Sequence, residues 1–378
     1  MEKVLLSDVA ILINGDRGKN YPLQADIMDD GDIPFVNAGH LNGKSINYED
    51  MNYISKEKYD RLSSGKFEKG DILYCLRGSL GKKAIVNNEV KGAIASSLVI
   101  IRPNRKKISG DYLLFSLDSP AIKEQLVRAN NGSSQPNLSA ASVRNYRIEL
   151  PELSVQEKIV EKLTRVQNLI EKRKKEIELL DDLIKARFVE MFGDPINNPL
   201  RWGKEAFENN ATLINGRAYK QDELLESGKY PVLRVGNFFS NRGWYYSDLE
   251  LDEDKYCENG DLLYAWSASF GPQIWNGEKV IYHYHIWKVI VENAYNKLFL
   301  CSLLAYVTDY LMSDTHGIAM MHLTKSGMEK TEFIVPPIEL QNEFAVFVKE
   351  VDKSKSVVQK ALDEAQLLFD SLMQKYFG

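Results

Sequence analysis

Long hydrophobic runs are missing from this chain. No stretch reaches about 18 uncharged apolar residues, so no membrane-spanning helix is expected. Cysteine is scarce: Cys75, Cys257 and Cys301 are too few and too scattered for a disulfide framework or a zinc cluster. Met1 to Ala10 lack a basic segment followed by an apolar stretch, so no secretory signal is read there and the cytoplasm is the expected compartment. A positive surplus is also absent, since 48 Lys and Arg face 53 Asp and Glu for a net charge of −5. The deficit is uneven. Residues 1–150 hold 21 Lys and Arg against 18 Asp and Glu, whereas residues 194–335 hold 13 against 19. Phosphate contacts draw on Lys and Arg, so a chain of this charge that binds nucleic acid needs a partner to supply much of the neutralisation. Catalytic signatures are missing too. There is no Gly-rich S-adenosylmethionine loop and no Asn-Pro-Pro-aromatic tetrad. The nearest approach to a phosphate loop, Gly81-Lys82, fails at Leu76, where a glycine is needed, and at Lys83, where Ser or Thr must reach the metal.

What the sequence does contain is a repeat. Leu12-Ile13-Asn14-Gly15 matches Leu213-Ile214-Asn215-Gly216, and Gly70-Asp71-Ile72-Leu73-Tyr74 matches Gly260-Asp261-Leu262-Leu263-Tyr264. Gly81 then matches Gly271, Asn137-Leu138-Ser139 faces His322-Leu323-Thr324, Pro151 faces Pro336, Gln156 faces Gln341, and Phe192-Gly193 faces Phe377-Gly378. From Leu138 onward the offset is constant, and before it the offset drifts. Each copy is therefore a variable globular part followed by a segment of fixed length.

The fixed segments carry a heptad period. Ile159, Leu163, Val166, Ile170, Ile177, Leu180, Ile184 and Met191 follow it in the first copy, broken at Arg173 and Arg187. Phe344, Val348, Val351, Val358, Leu362, Ala365, Phe369, Leu372 and Tyr376 follow it in the second, broken at Lys355. A 3.5-residue repeat favours a left-handed coiled coil. Ser154-Val155-Gln156-Glu157 fits a capping box, and Gly193 followed by Pro195 fits a stop, giving helices of roughly 35 residues and about 50 Å. The partner expected for each helix is the other copy's helix, in antiparallel pairing. The polar seam residues would then fix register or face another subunit, and the run Lys172 to Lys175 is read as a solvated or partner-facing surface. The globular parts read as mixed α and β. Strands are expected at Ala84 to Val86, Ser97 to Ile101, Lys279 to Tyr282 and His285 to Val291, with helices at Tyr112 to Leu117 and Leu298 to Met312.

Laid side by side, GDILYCLRGSLGKKAIV (70–86) and SSQPNLSAASVRNYRIELPELSVQEKIVEKL (133–163) in the first copy face GDLLYAWSASFGPQIWNGEKVIYHYHIWKVI (260–290) and HLTKSGMEKTEFIVPPIELQNEF (322–344) in the second. This arrangement resembles the specificity subunits of type I restriction-modification systems over nearly the whole chain. His283-Tyr284-His285 stands where the resemblance would place Asn-Gln-His. The resemblance implies an α+β fold: two similar mixed α/β target-recognition domains separated by two long helices in an antiparallel coiled coil with pseudo-two-fold symmetry. The expected boundaries are 1–150 and 194–335 for the domains and 151–193 and 336–378 for the helices. It also implies that each domain reads half of a bipartite double-stranded DNA target, while the helices set the spacer and dock two modification (methyltransferase) subunits. A restriction subunit, an ATP-dependent nuclease, would join them. No cofactor is then expected on this chain; S-adenosylmethionine, ATP and Mg belong to the partners. The alternative is a non-enzymatic coiled-coil scaffold with protein-binding terminal domains.

Candidate DNA contacts follow from residue chemistry. Arg17, Lys19, Arg217 and Lys220, after the matched Asn-Gly turns, suit phosphate positioning. Gln135 and Asn137, in the loop that also holds Ser134, can pair with adenine edges, and His316 lies in the equivalent loop of the second copy. The resemblance puts Arg77, Ser79, Lys82 and Lys83 at the DNA surface, and Lys325 joins them in the second copy. His283 and His285 are read as alternate residues of one strand, sharing a face. With no third ligand at suitable spacing, a metal site is not expected there. Trp266, Trp275 and Trp287 are read as core.

Overall fold

In the computed structural model, which describes residues 2–130, 136–240, 243–267, 269–292, 294–314 and 324–378, the apolar runs become strands buried on both faces. Two compact units emerge: Met1–Arg173 with Ala361–Gly378, and Lys174–Lys360. In the first, the strand Ile72–Cys75 shows how the sequence is used. Side chains alternate across a strand, and here Ile72 and Tyr74 join one core while Leu73 and Cys75 join another. The second unit repeats this with Leu262–Ser267, where Leu262 and Tyr264 face one core and Leu263 and Ala265 the other. An uninterrupted apolar run is what a strand covered on both sides requires.

Strand order is duplicated. The first unit holds an antiparallel sheet in the order Ala10–Asn14, Leu98–Pro103, Ile72–Cys75, Lys83–Ile85. The second holds Ala211–Asn215, Ile286–Val291, Leu262–Ser267, Ser269–Ile274. Each copy adds a second four-stranded sheet with one parallel pair, Ile33–Val36 beside Gly92–Ile94 and Tyr230–Leu233 beside Val280–Tyr282. A short ribbon completes each, Glu2–Leu5 with Arg147–Leu150 and Lys204–Ala206 with Glu332–Ile334. The matched Gly-Asp pairs have a structural reason. Gly70 and Gly260 adopt φ of 87° and 92°, which glycine takes without strain. Asp71 and Asp261 each accept a backbone N–H, from Glu68 and Glu258, and each anchors a cation from the neighbouring strand, Arg102 or Lys288.

The two long helices are Leu153–Phe192 and Ile338–Phe377, 40 residues each and so about 60 Å long. They exceed the expected length because they open earlier. Ser154 lies inside the first turn, and the capping box expected at Ser154–Glu157 does not form. Gln156 instead turns back into the globular part. Fully buried, it accepts from Ser109 N (2.9 Å) and donates to Lys107 O (2.9 Å) and Pro151 O (2.8 Å). Gln341 repeats the pattern, accepting from Asn296 N (2.8 Å) and donating to Ala294 O (2.9 Å) and Pro336 O (2.7 Å). The matched glutamines are fasteners between helix and domain. Gly193, at φ 72°, ends the first helix as expected.

In the first unit, the opening turns of the first long helix (Ile159, Leu163) share a core with the closing turns of the second (Met373, Phe377). In the second unit, Phe188 and Phe192 share a core with Phe344 and Val348. The heptad reading needs one correction here. At both helix ends the buried residues are Phe188 and Phe192, and Met373 and Phe377, while Met191, Leu372 and Tyr376 are only partly buried. Steps of four residues follow the face of a straight helix, so these ends leave the 3.5-residue seam to join the domain cores. Two of the three seam interruptions are paired within the second unit: Lys355 with Asp181 at 2.5 Å, and Arg187 with Glu343 at 3.3 Å. Among the described residues, no helix is long and apolar enough to cross a membrane.

Candidate nucleic-acid interface

The strand registers place most candidate residues at one end of the main sheet in each unit. In the first, Asn14 pairs with Val99, Cys75 with Leu98 and Tyr74 with Lys83, so the loops after Asn14 and Cys75 emerge beside the turn before Leu98. Arg17 is exposed there and donates to Ser96 O at 3.3 Å. Arg77 forms an isolated bridge with Asn137, held by Leu138 N to Leu76 O (2.8 Å) and Gly78 N to Pro136 O (3.2 Å). Arg77, Ser79 and Asn137 are exposed and Lys82 is half-buried around turns made by Gly78 and Gly81, both at φ 77°. The structure therefore brings together Arg17, Arg77, Ser79, Lys82 and Asn137; Lys19 is exposed in the loop beyond Arg17. Ser134 and Gln135 lie outside the described residues.

Lys83 is a correction. It is 2% exposed, and its ammonium pairs with Asp118 at the junction of two helices, Gly110–Ser116 and Pro120–Ala129. Burial pushes its pKa down and Asp118 opposes that shift. Lys82 and Lys83 thus diverge, since Lys82 ends the turn at Gly81, half-buried, whereas Lys83 opens the strand Lys83–Ile85 with its side chain inside the domain.

In the second unit the equivalent end is built from different chemistry. The chain after Asn215 runs close against the neighbouring turn: Arg217 N donates to Tyr282 O (3.0 Å) and Tyr284 N donates to Arg217 O (3.1 Å). The repeated glycine is needed for this approach. A Cβ on Gly216 would lie 2.3 Å from Tyr282 O, and one on Gly15 would lie 2.9 Å from Ala95 O. The Arg217 guanidinium is bound on two nitrogens by Glu223 (2.9 and 2.7 Å), which holds the Glu223 carboxyl down at about 2. Arg217 is thus engaged internally, whereas Lys220 is exposed. Lys325 opens a short helix, capped by Thr324, and lies 3.6 Å from Glu329. His316 lies outside the described residues.

His283-Tyr284-His285 is a turn between Val280–Tyr282 and Ile286–Val291, not strand as expected. The imidazoles nevertheless lie together, 4.7 Å between centroids, with the Tyr284 ring 4.4 and 4.0 Å from them. The closure of the turn by Ile286 N to His283 O, rather than strand alternation, gathers them. Trp266 stands edge-on to His285 at 5.2 Å and donates through Nε1 to Tyr284 O. Trp275 and Trp287 are core, as read; Trp266 is only half-buried and borders the ring cluster.

Residues 1–179 and 207–366 match the family model of the type I restriction modification DNA specificity domain. The chain belongs to that family. It is 22% identical over 382 residues to the type I restriction enzyme MjaIX specificity subunit of Methanocaldococcus jannaschii, covering 91% of this chain and 86% of that one. It is 27% identical over 228 residues to the HindI specificity subunit of Haemophilus influenzae, covering 57% and 47%. Its fold is similar to the S subunit of the type I restriction-modification system from M. genitalium, at TM-score 0.56 and 16% identity, covering 100% of this chain and 96% of that one. A second solved chain, described in terms of complex assembly and conformational transition of the type I R-M system, gives TM-score 0.57 and 18% identity, covering 100% and 97%.

Within this specificity-domain fold, the sequence reading missed Arg234 and Tyr284 as neighbours of the two histidines. A signal was available in the repeat. Pro34-Phe35-Val36-Asn37 and Pro231-Val232-Leu233-Arg234 occupy equivalent strands, so Arg234 sits where the first copy has Asn37. Burial, then His285 and Arg234, hold the His283 pKa down at about 4, and burial lowers that of His285. Both imidazoles are therefore neutral at pH 7 in the folded unit, while an unfolded histidine protonates below about 6.5. The unfolded state then binds more protons, so stability present above about pH 6.5 is lost as pH falls toward about 4. Urea midpoints read from tryptophan fluorescence should fall across that window, since all five tryptophans lie in the second unit. His283→Asn should flatten the decline. An equally steep decline in that variant would refute the assignment.

Proposed function

We propose that this chain is the DNA-recognition subunit of a type I restriction-modification complex, each domain reading one half of a bipartite double-stranded target. The observation that carries this reading is the twice-built sheet end, where exposed cations, amides and ring nitrogens collect on one scaffold in a chain of the specificity-domain family. The recognition domains are assigned to 1–150 and 194–335, and the helical segments to 151–193 and 336–378. The helical segments form an antiparallel coiled coil with pseudo-two-fold symmetry. In each unit, turns from the start of one long helix share a core with turns from the end of the other, which supports that arrangement. The coiled coil fixes the spacer and docks two modification subunits, and a restriction subunit completes the nuclease. Catalysis belongs to those partners, with S-adenosylmethionine, ATP and Mg, and the complex works in the cytoplasm. The acidic balance of residues 194–335 fits a partner that clamps the phosphates.

The test is methylome sequencing of cells that carry the modification subunit with and without this chain. A bipartite adenine-methylation motif should appear only with the chain. No chain-dependent motif would leave the protein-binding scaffold as the better reading.

A further inference from the structure

Among the described residues, Arg234 is a half-buried cation without an anion. It follows the strand Tyr230–Leu233, its guanidinium carbon lies 4.5 Å from the centre of the Tyr245 ring, and its Nε is buried with no hydrogen-bond partner among the described residues. No carboxylate among the described residues pairs with it, in contrast to Arg217, which is bound on two nitrogens by Glu223. A charge withdrawn from water without a partner is costly. The half-exposed part of the guanidinium, beside the Tyr245 ring, gains when a ligand brings acceptors to it.

The neighbouring groups narrow the ligand. His283 N donates to Leu233 O at 2.9 Å, so the ring cluster begins beside Arg234. His285 N donates to His283 Nδ1 at 3.5 Å, so the neutral His283 ring carries its proton on Nε2, and the acceptor nitrogen left in the cluster is that of His285. Neutral imidazoles offer an acceptor as well as a donor. A phosphate oxygen has no use for an acceptor, whereas a base-pair edge does. Guanine presents O6 and N7 as acceptors, the pair that an arginine fork fits, and its cytosine presents an amino donor.

Resting on the reading of the chain as a DNA-recognition subunit, we propose that Arg234 reads the guanine of one G·C pair in the half-site of the second domain. The His285 imidazole accepts a hydrogen bond from the cytosine amino group. The first domain lacks this device. Its equivalent residue, Asn37, spends its side-chain oxygen on Gly39 N at 2.7 Å, and its equivalent turn is Ala95-Ser96-Ser97. One scaffold thus carries two reading chemistries, a basic glycine turn in one copy and an arginine–imidazole cluster in the other.

The experiment compares the methylated motif made by the full chain with its modification subunits when Arg234 is wild type, Arg234→Gln or Arg234→Lys. Both variants should relax one G·C position in one half-site, with preference for that pair falling roughly tenfold to hundredfold and newly methylated sites appearing. The other half-site should not change. New sites are a gain that misfolding cannot produce. An unchanged motif in both variants overturns the proposal. So does uniform weakening across all sites, which would make Arg234 a phosphate contact, and so does loss of all methylation in both variants, which would make it a structural residue. Absence of a bipartite motif with the wild-type chain would overturn the underlying reading instead.

Discussion

Gln341→Leu should lower the stability of the second unit by about 3–5 kcal/mol, among the largest effects a single substitution produces. Leucine fills a similar volume but offers no polar atom. It would leave Asn296 N and the carbonyls of Ala294 and Pro336 facing an apolar group in a site where Gln341 is fully buried. Each backbone group stranded in this way costs about 1–3 kcal/mol. The measurement is urea unfolding followed by tryptophan fluorescence, because Trp202, Trp244, Trp266, Trp275 and Trp287 all belong to that unit. Gln341→Glu sets a buried carboxyl against the carbonyls of Ala294 and Pro336, so its midpoint should fall further as pH rises and the carboxyl ionises, whereas that of the leucine variant should not. A leucine variant within about 1 kcal/mol of wild type would show that Gln341 is not the fastener. Gln156 makes the same three contacts in the first unit, so Gln156→Leu should carry a similar penalty there.

Insertion of seven residues at matched places in both long helices should lengthen the spacer of the methylated motif by up to about three base pairs. Seven residues of helix add about 10 Å, and each base pair of duplex DNA spans about 3.4 Å. A heptad is two turns of a 3.5-residue repeat, so the seam returns to the same face and the apolar positions stay opposite one another. Placed away from Gln156, Gln341 and the helix ends, the insertion leaves the fasteners and the domain cores intact. Motif sequencing reads the outcome directly, because both half-sites should keep their sequence while only the spacing changes. Retained methylation at the original spacing would refute the role of the helices as a ruler. An insertion in one helix alone should abolish activity, since it shifts one side of the seam against the other.

Several features were legible in the sequence because they are local or periodic. The duplication, the uninterrupted apolar runs of the central strands and the heptads all record burial that recurs at fixed intervals. The matched Gly-Asp pairs mark a positive φ that glycine adopts easily, the matched Asn-Gly pairs mark a close backbone approach that a Cβ would block, and both recur because the two copies share these local geometries. Even the difference between the copies was visible, as cations and amides in one and His-Tyr-His in the other.

What the sequence could not decide depends on residues far apart in the chain. Lys83 looks no different from Lys82 until Asp118, 35 positions later, meets it inside the domain. His283 and His285 share a face because a turn closes on them, a geometry that residue alternation cannot anticipate. Gln156 sits in the expected capping box and faces Gln341 in the repeat, yet two of the three partners of each are backbone groups 45 to 49 residues earlier. Periodicity therefore determined the repeat, the helices and the strand cores, since each position there answers to its neighbours. Which polar groups face ligand and which are consumed inside was settled only by tertiary structure, because a charge or an amide is free or satisfied according to what the folded chain brings within hydrogen-bonding distance.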